Sequence, residues 1–382
     1  MRSIVIWGAG RIGRGFVADI FSQARDFRLV FVDIDAELVR NLNAAGGYTI
    51  ARAARDGISK KRLEGNFEAV HTGDEKRLKA LFEEEALLLD IAVHEPKLTE
   101  VADMLAPLIT HRAQSGLPMD VLMNVNAHRP DLKFCALMRE RLTGEALSFF
   151  DAKVGVSGIF AMCISPLSPG WLVKEDPLAP WNNGWETQSI SRPALKCAPP
   201  EAPRLLLVND IEREETRKLY TLNMAHAFLS YLGLRKGLNT AFQAVKDEEL
   251  SNALSQALGE SSMGLTARYG FTQEEMALWR EKIVFLLENP YIEDDLRRLG
   301  ADSRRKLAPG DRLTGPARLA ESAGTSPRSL ARAIRAGFEY ENDDPGTRAV
   351  REYFLQYGLT AALEKFCGLK EGEELFDLVM RA

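Results

Sequence analysis

The sequence predicts an α/β N-terminal domain built on a parallel sheet, followed by an all-α C-terminal domain. Three observations carry this expectation. A strand, a glycine-rich turn, a helix and a second strand follow one another within the first 33 residues. From Asp210 onward, apolar residues recur at helical spacing. Between about Ser165 and Pro203, prolines and tryptophans gather and interrupt both patterns.

Ser3 to Trp7 is a short run of β-type residues and reads as the first strand. Gly8 to Gly15 is a turn, and Phe16 to Ala24 is apolar at helical spacing. Leu29 to Val32 is a second strand ending at Asp33. One such unit in about 30 residues is what a mononucleotide-binding half requires, so the domain is Rossmann-type. Ala86 to Val93 and Asp120 to Asn124 read as later strands of the same sheet, separated by a helix through Leu98 to Ile109. Ala146 to Val156 reads as a further strand. The prolines from Pro166 to Pro203, with Trp171, Trp181 and Trp185, disfavour helix and read as late strands and loops. Leu219, Leu222, Ala225, His226 and Leu229 then recur helically, as do Met276, Trp279, Ile283, Leu286 and Leu287. The expected domains are 1–203, Rossmann-type with extra strands and loops, and 204–382, a helical substrate and catalytic domain.

Composition excludes several classes. Net charge is −5, and no basic block is long enough to track a phosphate backbone, which argues against nucleic acid. Cys135, Cys163, Cys197 and Cys367 form no CxxC pair, so neither a disulfide framework nor structural zinc is expected, and a reducing cytoplasm fits. His71, His94, His111, His128 and His226 make no HExxH or HxxxH pair, so no metal is expected. The apolar run Ile4 to Ala9 is short and meets Arg11 and Arg14, unlike a signal peptide. No stretch of about 20 apolar residues is present to span a membrane.

The turn after the first strand reads Gly8-Ala9-Gly10-Arg11-Ile12-Gly13. Gly8 permits the tight turn, Gly10 lets the backbone approach a pyrophosphate, and Gly13 lets the helix pack close to the sheet. The helix start offers N–H groups and partial positive charge to the phosphates. Asp33 stands 20 residues beyond Gly13, where a carboxylate can bond both ribose hydroxyls and repel a 2′-phosphate. NAD is therefore favoured over NADP, with Asp35 as the alternative acid.

Far downstream, Lys218-Leu-Tyr-Thr-Leu-Asn223-Met-Ala-His226 places an amine, an amide and an imidazole on one helix. At about 100° per residue of regular α-helix, Asn223 lies about 140° and His226 about 80° around from Lys218. Alone, such a lysine is usually a solvated charge and such a histidine a core residue. After a nucleotide-binding domain, the set points to hydride chemistry at an alcohol carbon. The lysine takes the hydroxyl proton while the other two hold the oxygen. A lysine base near neutral pH needs its pKa well below about 10.4.

At these residues the chain resembles the polyol-specific long-chain dehydrogenases, which carry Lys-x4-Asn-x2-His. The resemblance extends to Gly8-Ala-Gly-Arg-Ile-Gly-Arg-Gly-Phe16. It is densest in the second half: Arg268-Tyr-Gly-Phe271, Glu288-Asn-Pro-Tyr291, Asp294-Asp295, Arg305-Lys-Leu307, Asp311-Arg-Leu313 and Asp343-Asp-Pro345. It implies NAD-dependent, metal-independent interconversion of mannitol 1-phosphate and fructose 6-phosphate. Lys218 would be the general base, and Asn223 and His226 would orient the reacting oxygen. It also implies a monomer or weak dimer. The basic stretch Arg304-Arg305-Lys306, with Arg312, is a candidate for a substrate phosphate, or else a solvated helix end or a set of ion-pair partners for Asp294, Asp295 or Asp311. The chain departs from the family twice. Members usually show Cys, an acid, then Asn after a central strand, where this chain has Met123-Asn-Val-Asn-Ala-His128. They also carry Val-Asp-Arg-Ile, where this chain has Val156-Ser-Gly-Ile-Phe160. His94 and His128 are candidate replacement polar groups there. The open alternatives are a dehydrogenase of an unphosphorylated polyol, a sugar-acid reductase, or a non-catalytic NAD-binding protein.

Overall fold

The computed structural model describes residues 2–24, 27–65, 67–127, 129–292 and 294–382. The chain divides into two units, Met1–Glu212 and Arg213–Ala382. The division falls later than the expected 203/204 boundary, because a last strand at 205–208 still belongs to the first sheet.

In chain order the strands are β1 (Arg2–Trp7), β2 (Phe27–Asp33), β3 (Gly47–Ala54), β4 (Gly57–Glu64), β5 (Phe67–His71), β6 (Leu87–Ile91), β7 (Met119–Met123), β8 (Val154–Phe160), β9 (Trp181–Asn182), β10 (Gln188–Ser191) and β11 (Leu205–Val208). Eight of them form one sheet ordered β11-β10-β8-β7-β6-β1-β2-β5, parallel at every pair except β8 with β10. Strands β2 and β5 lie on one side of β1, and β6, β7 and β8 on the other. The order thus reverses between β1 and β6, which is where a doubly wound sheet takes its ligand, beyond the strands' C-terminal ends. Along β1, β6 and β7 alternate residues, such as Val5, Leu89, Ile91 and Val121, enter one core with Leu105, Phe134 and Phe150 from covering helices. A second sheet, β4-β3-β9, contains a hairpin turning near Asp56-Gly57 that the sequence analysis does not anticipate.

Two expectations are corrected. Gly144–Lys153 is a helix rather than a strand, and the strand begins at Val154. Ala146, Phe149 and Phe150 are buried at helical spacing, so packing on one face outweighs the β-type composition. Within the proline-rich stretch, Gly170–Glu175 is also helical. It starts directly after Pro169, a position that needs no N–H from proline.

The second unit is helical, as expected. Its central helix, Met224–Arg235, buries ten consecutive residues from Met224 to Gly233. Glu248–Tyr269, Arg328–Glu339, Leu296–Gly300 and Ala241–Lys246 pack against it. Thr240 and Thr272 each form a capping box, and Asp247, Asp295 and Asp344 cap three further helices. Among the described residues, no helix is long and apolar enough to cross a membrane.

Candidate active site

The glycine motif follows β1 at the point where the strand order reverses. Gly8 has φ +103°, and a Cβ there would lie 2.4 Å from the Ala92 carbonyl oxygen beyond β6. Gly13 is buried, and its Cβ would stand 2.0 Å from the Gly8 oxygen. Gly10 is exposed, and a Cβ would meet nothing within 4 Å. Packing therefore requires Gly8 and Gly13, while the open side of Gly10 leaves its backbone approachable. Ala9 is buried, and Arg11 and Ile12 are half-buried. Asp33 closes β2 beside this loop. Its Oδ2 accepts the Ala9 N–H at 2.7 Å and its Oδ1 the Asp35 N–H at 2.9 Å. Each carboxylate oxygen keeps further acceptor capacity, so the acid anchors the loop and can still receive ribose hydroxyls. Asp35 itself caps the helix Ala36–Ala45 through the Glu37 and Leu38 N–H groups, which favours Asp33 over Asp35 for that task. The loop and Asp33 fit a dinucleotide.

In the second unit, the helix bearing Lys218 is not uniform. Ile211–Lys218 is α-helical, Leu219–Asn223 is a turn of π-helix, and Met224–Arg235 is α-helical again. The Met224 N–H reaches back to the Leu219 carbonyl, five residues earlier. Such a turn absorbs one extra residue, so about 40° separates Asn223 from Lys218 and about 20° separates His226. The wider angles expected of a regular helix are corrected, and the three residues share a narrow stripe. Lys218 and Asn223 are half-buried, and His226 is buried.

Burial pushes the His226 imidazole down to about 3, and the charges of Arg298, Arg312, Lys218 and Lys306 act in the same direction. The ring is neutral near pH 7, and its buried Nε2 has no hydrogen-bond partner among the described residues. Leaving a buried polar atom unsatisfied costs about 1–3 kcal/mol, a penalty that a ligand oxygen would relieve. The structure thus brings Lys218, His226, Lys306 and Arg312 into one electrostatic group and adds Arg298. The sequence pattern does not single out Arg298; its signal is the i,i+4 spacing from Asp294, with which it pairs.

The phosphate candidates divide. Lys306 is buried and donates to the Ala301 carbonyl; burial first, then Arg312 and Arg305, pushes its ammonium down to about 7. Arg312 is buried, and its Nε meets Asp311 Oδ1 at 2.7 Å. Arg305 is more exposed, pairs through Nε with Asp302 at 3.0 Å, and helps to push the Lys306 ammonium down. Asp295 caps the helix Leu296–Gly300.

The two stretches that depart from the family pattern are engaged within the first sheet. Asn124 Nδ2 donates to both oxygens of Asp90 at 2.8 and 2.7 Å, and Gln188 Nε2 reaches Asp90 at 3.3 Å. Asp90 is fully buried, and burial pushes its carboxyl up to about 7 against those bonds. Its signal in the sequence is an acid inside the apolar run Leu87-Leu-Leu-Asp90-Ile91. Ser157 Oγ accepts the Ser191 N–H at 2.9 Å and donates to the Gly158 carbonyl at 2.6 Å. His94 is exposed at the start of the 3-10 turn Glu95–Lys97, and His128 lies outside the described residues. Among the described residues, no group of three His, Cys, Asp or Glu side chains could hold a metal ion.

A nucleotide-type parallel sheet followed by a helical unit carrying Lys-x4-Asn-x2-His defines a class, and the chain belongs to the mannitol dehydrogenase family. The model of that family's Rossmann domain matches residues 2–179, and the model of its C-terminal domain matches residues 210–357. A mannitol-1-phosphate 5-dehydrogenase from Caldanaerobacter subterraneus subsp. tengcongensis is 28% identical over 381 residues, covering 97% of this chain and 95% of the relative. One from Halalkalibacterium halodurans is 29% identical over 381 residues, covering 98% of each. Among solved structures, substrate-free D-sorbitol dehydrogenase has a TM-score of 0.83 at 16% identity, covering 99% of this chain and 91% of its own. Pseudomonas fluorescens mannitol 2-dehydrogenase, in ternary complex with NAD and D-mannitol, has a TM-score of 0.78 at 14% identity, covering 100% and 90%. Both share the fold of this chain.

Proposed function

We propose that this chain is an NAD-dependent polyol-phosphate dehydrogenase. It interconverts mannitol 1-phosphate, or a similar polyol phosphate, and fructose 6-phosphate, as a cytoplasmic monomer or weak dimer. Gly8 to Gly13 and Asp33 hold the dinucleotide, and NAD, when bound, supplies the hydride acceptor. Lys218 accepts the hydroxyl proton as the carbinol becomes a carbonyl. Asn223 and the neutral His226 face the same oxygen, where hydrogen bonds strengthen as charge develops. Lys306, Arg312 and Arg298 provide a positive field for a phosphate dianion, with Arg305 at its edge.

The observation that carries this reading is the buried His226 Nε2, without a hydrogen-bond partner among the described residues and in the field of Lys218, Arg298, Arg312 and Lys306, the last with its ammonium pushed down to about 7. An oxygen-rich anion satisfies both features. The pairing of Arg312 with Asp311 and of Arg298 with Asp294 partly neutralises the field. That observation favours the second reading, an unphosphorylated polyol or a sugar acid.

Initial rates of NAD reduction over a panel of free and phosphorylated polyols test the proposal. Phosphorylated substrates are expected to win, and Arg305→Ala should raise KM for the best of them without changing NADH affinity. Equal rates with free polyols would overturn the phosphate assignment. Lys218→Ala should lower kcat by about 10²–10⁴ or more while NADH still binds. A variant keeping above about a tenth of wild-type turnover would remove Lys218 from the role of base, because general-base loss costs at least tenfold more than that.

A further inference from the structure

The catalytic stripe depends on a turn that an isolated backbone would not choose. π-Turns are rare and occur mostly as single turns inserted in α-helices. If Leu219–Asn223 relaxed to α-helix, Asn223 and His226 would rotate by about 100° relative to Lys218. Something must therefore hold the turn, and the side chains around it do so.

We propose that Thr221 and Trp279 are positioning residues for the reaction, holding the π-turn that aligns Asn223 and His226 with Lys218. The proposal rests on the catalytic reading of those three residues. Thr221 is fully buried inside the turn. Its hydroxyl donates to the Arg217 carbonyl at 2.5 Å and accepts the Trp279 indole N–H at 2.9 Å. Donor and acceptor are both used, so the hydroxyl has one orientation. Back-bonding of this kind bends a helix away from regular geometry. Trp279 comes from the neighbouring helix Gln273–Leu287 and is itself fixed: it is buried, and the Arg217 guanidinium lies 3.9 Å from its ring centroid. One residue before Thr221, the Tyr220 carbonyl accepts the Ser261 hydroxyl at 2.6 Å from the helix Glu248–Tyr269. The turn is thereby tied to two helices at successive residues. Neither Thr221 nor Trp279 need touch substrate, since each acts through the geometry of Lys218, Asn223 and His226.

The test uses the full chain with NAD and its best substrate, with turnover normalised to titrated NADH-binding sites. Thr221→Val keeps the shape and removes the hydroxyl; Thr221→Ser keeps the hydroxyl. Thr221→Val should lower kcat by about 10²-fold, the scale of an ångström-sized misplacement, with KM and NADH affinity nearly unchanged. Thr221→Ser should restore most of the rate. Trp279→Phe, which keeps an aromatic ring and removes the N–H, should fall between them, and it carries the test if Thr221→Val does not fold. Wild-type kcat in both Thr221→Val and Trp279→Phe overturns the proposal, as does an equal loss in the valine and serine variants. Lys218→Ala is measured alongside. If it keeps its turnover, the catalytic reading fails and takes this proposal with it. If it is inactive while the positioning variants are normal, only this proposal fails.

Discussion

Two helices of this molecule contain a π-turn beside a functional motif, and they are held in different ways. The first, Gly13–Val17, continues the glycine loop of the nucleotide unit. Its Arg14 carbonyl accepts the Tyr48 hydroxyl at 2.8 Å, and its Gly15 carbonyl accepts Asn182 Nδ2 at 3.1 Å. Both donors come from the small second sheet, and from inside the turn the Arg14 side chain donates outward to the carbonyls of Leu178 at 3.3 Å and of Ala9. Gly13 and Gly15 have no room for a side chain: a Cβ on Gly15 would lie 2.8 Å from Pro180. The second turn, Leu219–Asn223, contains its own donor in Thr221. A helix that must lie against backbone gives up side chains and borrows hydrogen bonds from elsewhere. A helix that must present side chains keeps one at every position of the turn, and there Thr221 bonds inward to Arg217 and outward to Trp279.

The sharpest way to break this contrast is Gly13→Ala. The added Cβ meets backbone on β1's turn, which cannot yield as a flexible side chain would. The expected cost is on the order of several kcal/mol, with loss of NADH binding by fluorescence titration. Wild-type NADH affinity in that variant would show that the close packing is not needed.

A smaller effect is expected from Tyr48→Phe. It leaves the Arg14 carbonyl without its hydroxyl donor inside a buried region, which costs roughly 1–3 kcal/mol. The melting temperature should drop by a few degrees while kcat per NADH-binding site stays put. If Tyr48→Phe lowers kcat as Thr221→Val is expected to, the two turns do not differ in function.

A last comparison separates the units by pH. Asp90 in the first has a raised pKa, about 7, against about 4 when unfolded. Its contribution to stability is fully present below about pH 4 and is lost as pH rises to about 7. His226 in the second has a lowered pKa, about 3, against about 6.5 when unfolded. Its contribution is present above about pH 6.5 and is lost as pH falls toward 3. Relative to wild type, Asp90→Asn should therefore gain stability as pH rises from 4 to 7, and His226→Gln as pH falls from 6.5. Melting curves of both variants across pH 4–7 check this. Parallel tilts would mean that at least one group is not titrating as its burial implies.

The glycine loop that leads into the first turn was legible in the sequence, and the π-turns themselves were not. Glycines at 8, 10 and 13 are visible because side chains are missing where a strand meets a helix. Thr221 looks like any helical threonine, since nothing local distinguishes a hydroxyl that bonds Arg217 and Trp279. The spacing Lys218-x4-Asn223-x2-His226 was readable, but the alignment of the three residues was not, because a residue count assumes uniform winding. Asp56-Gly57 was an available hairpin signal for β3 and β4. Ala146 to Lys153 misled because its phenylalanines suit a strand, while their spacing, 146, 149 and 150, is helical. The ion pairs of Arg305 and Arg312 depend on loop geometry that spacing does not encode.

The central helix also bears on how such an enzyme can change over generations. Ten neighbouring positions, Met224 to Gly233, are all buried, and Gly233 and Ser230 already press on Leu296 and Gly300. Shortening a side chain there opens a cavity and lengthening one forces a clash, so single substitutions are mostly losses. The packing of that helix is in effect frozen. Novelty in substrate range has to enter through segments other than this helix.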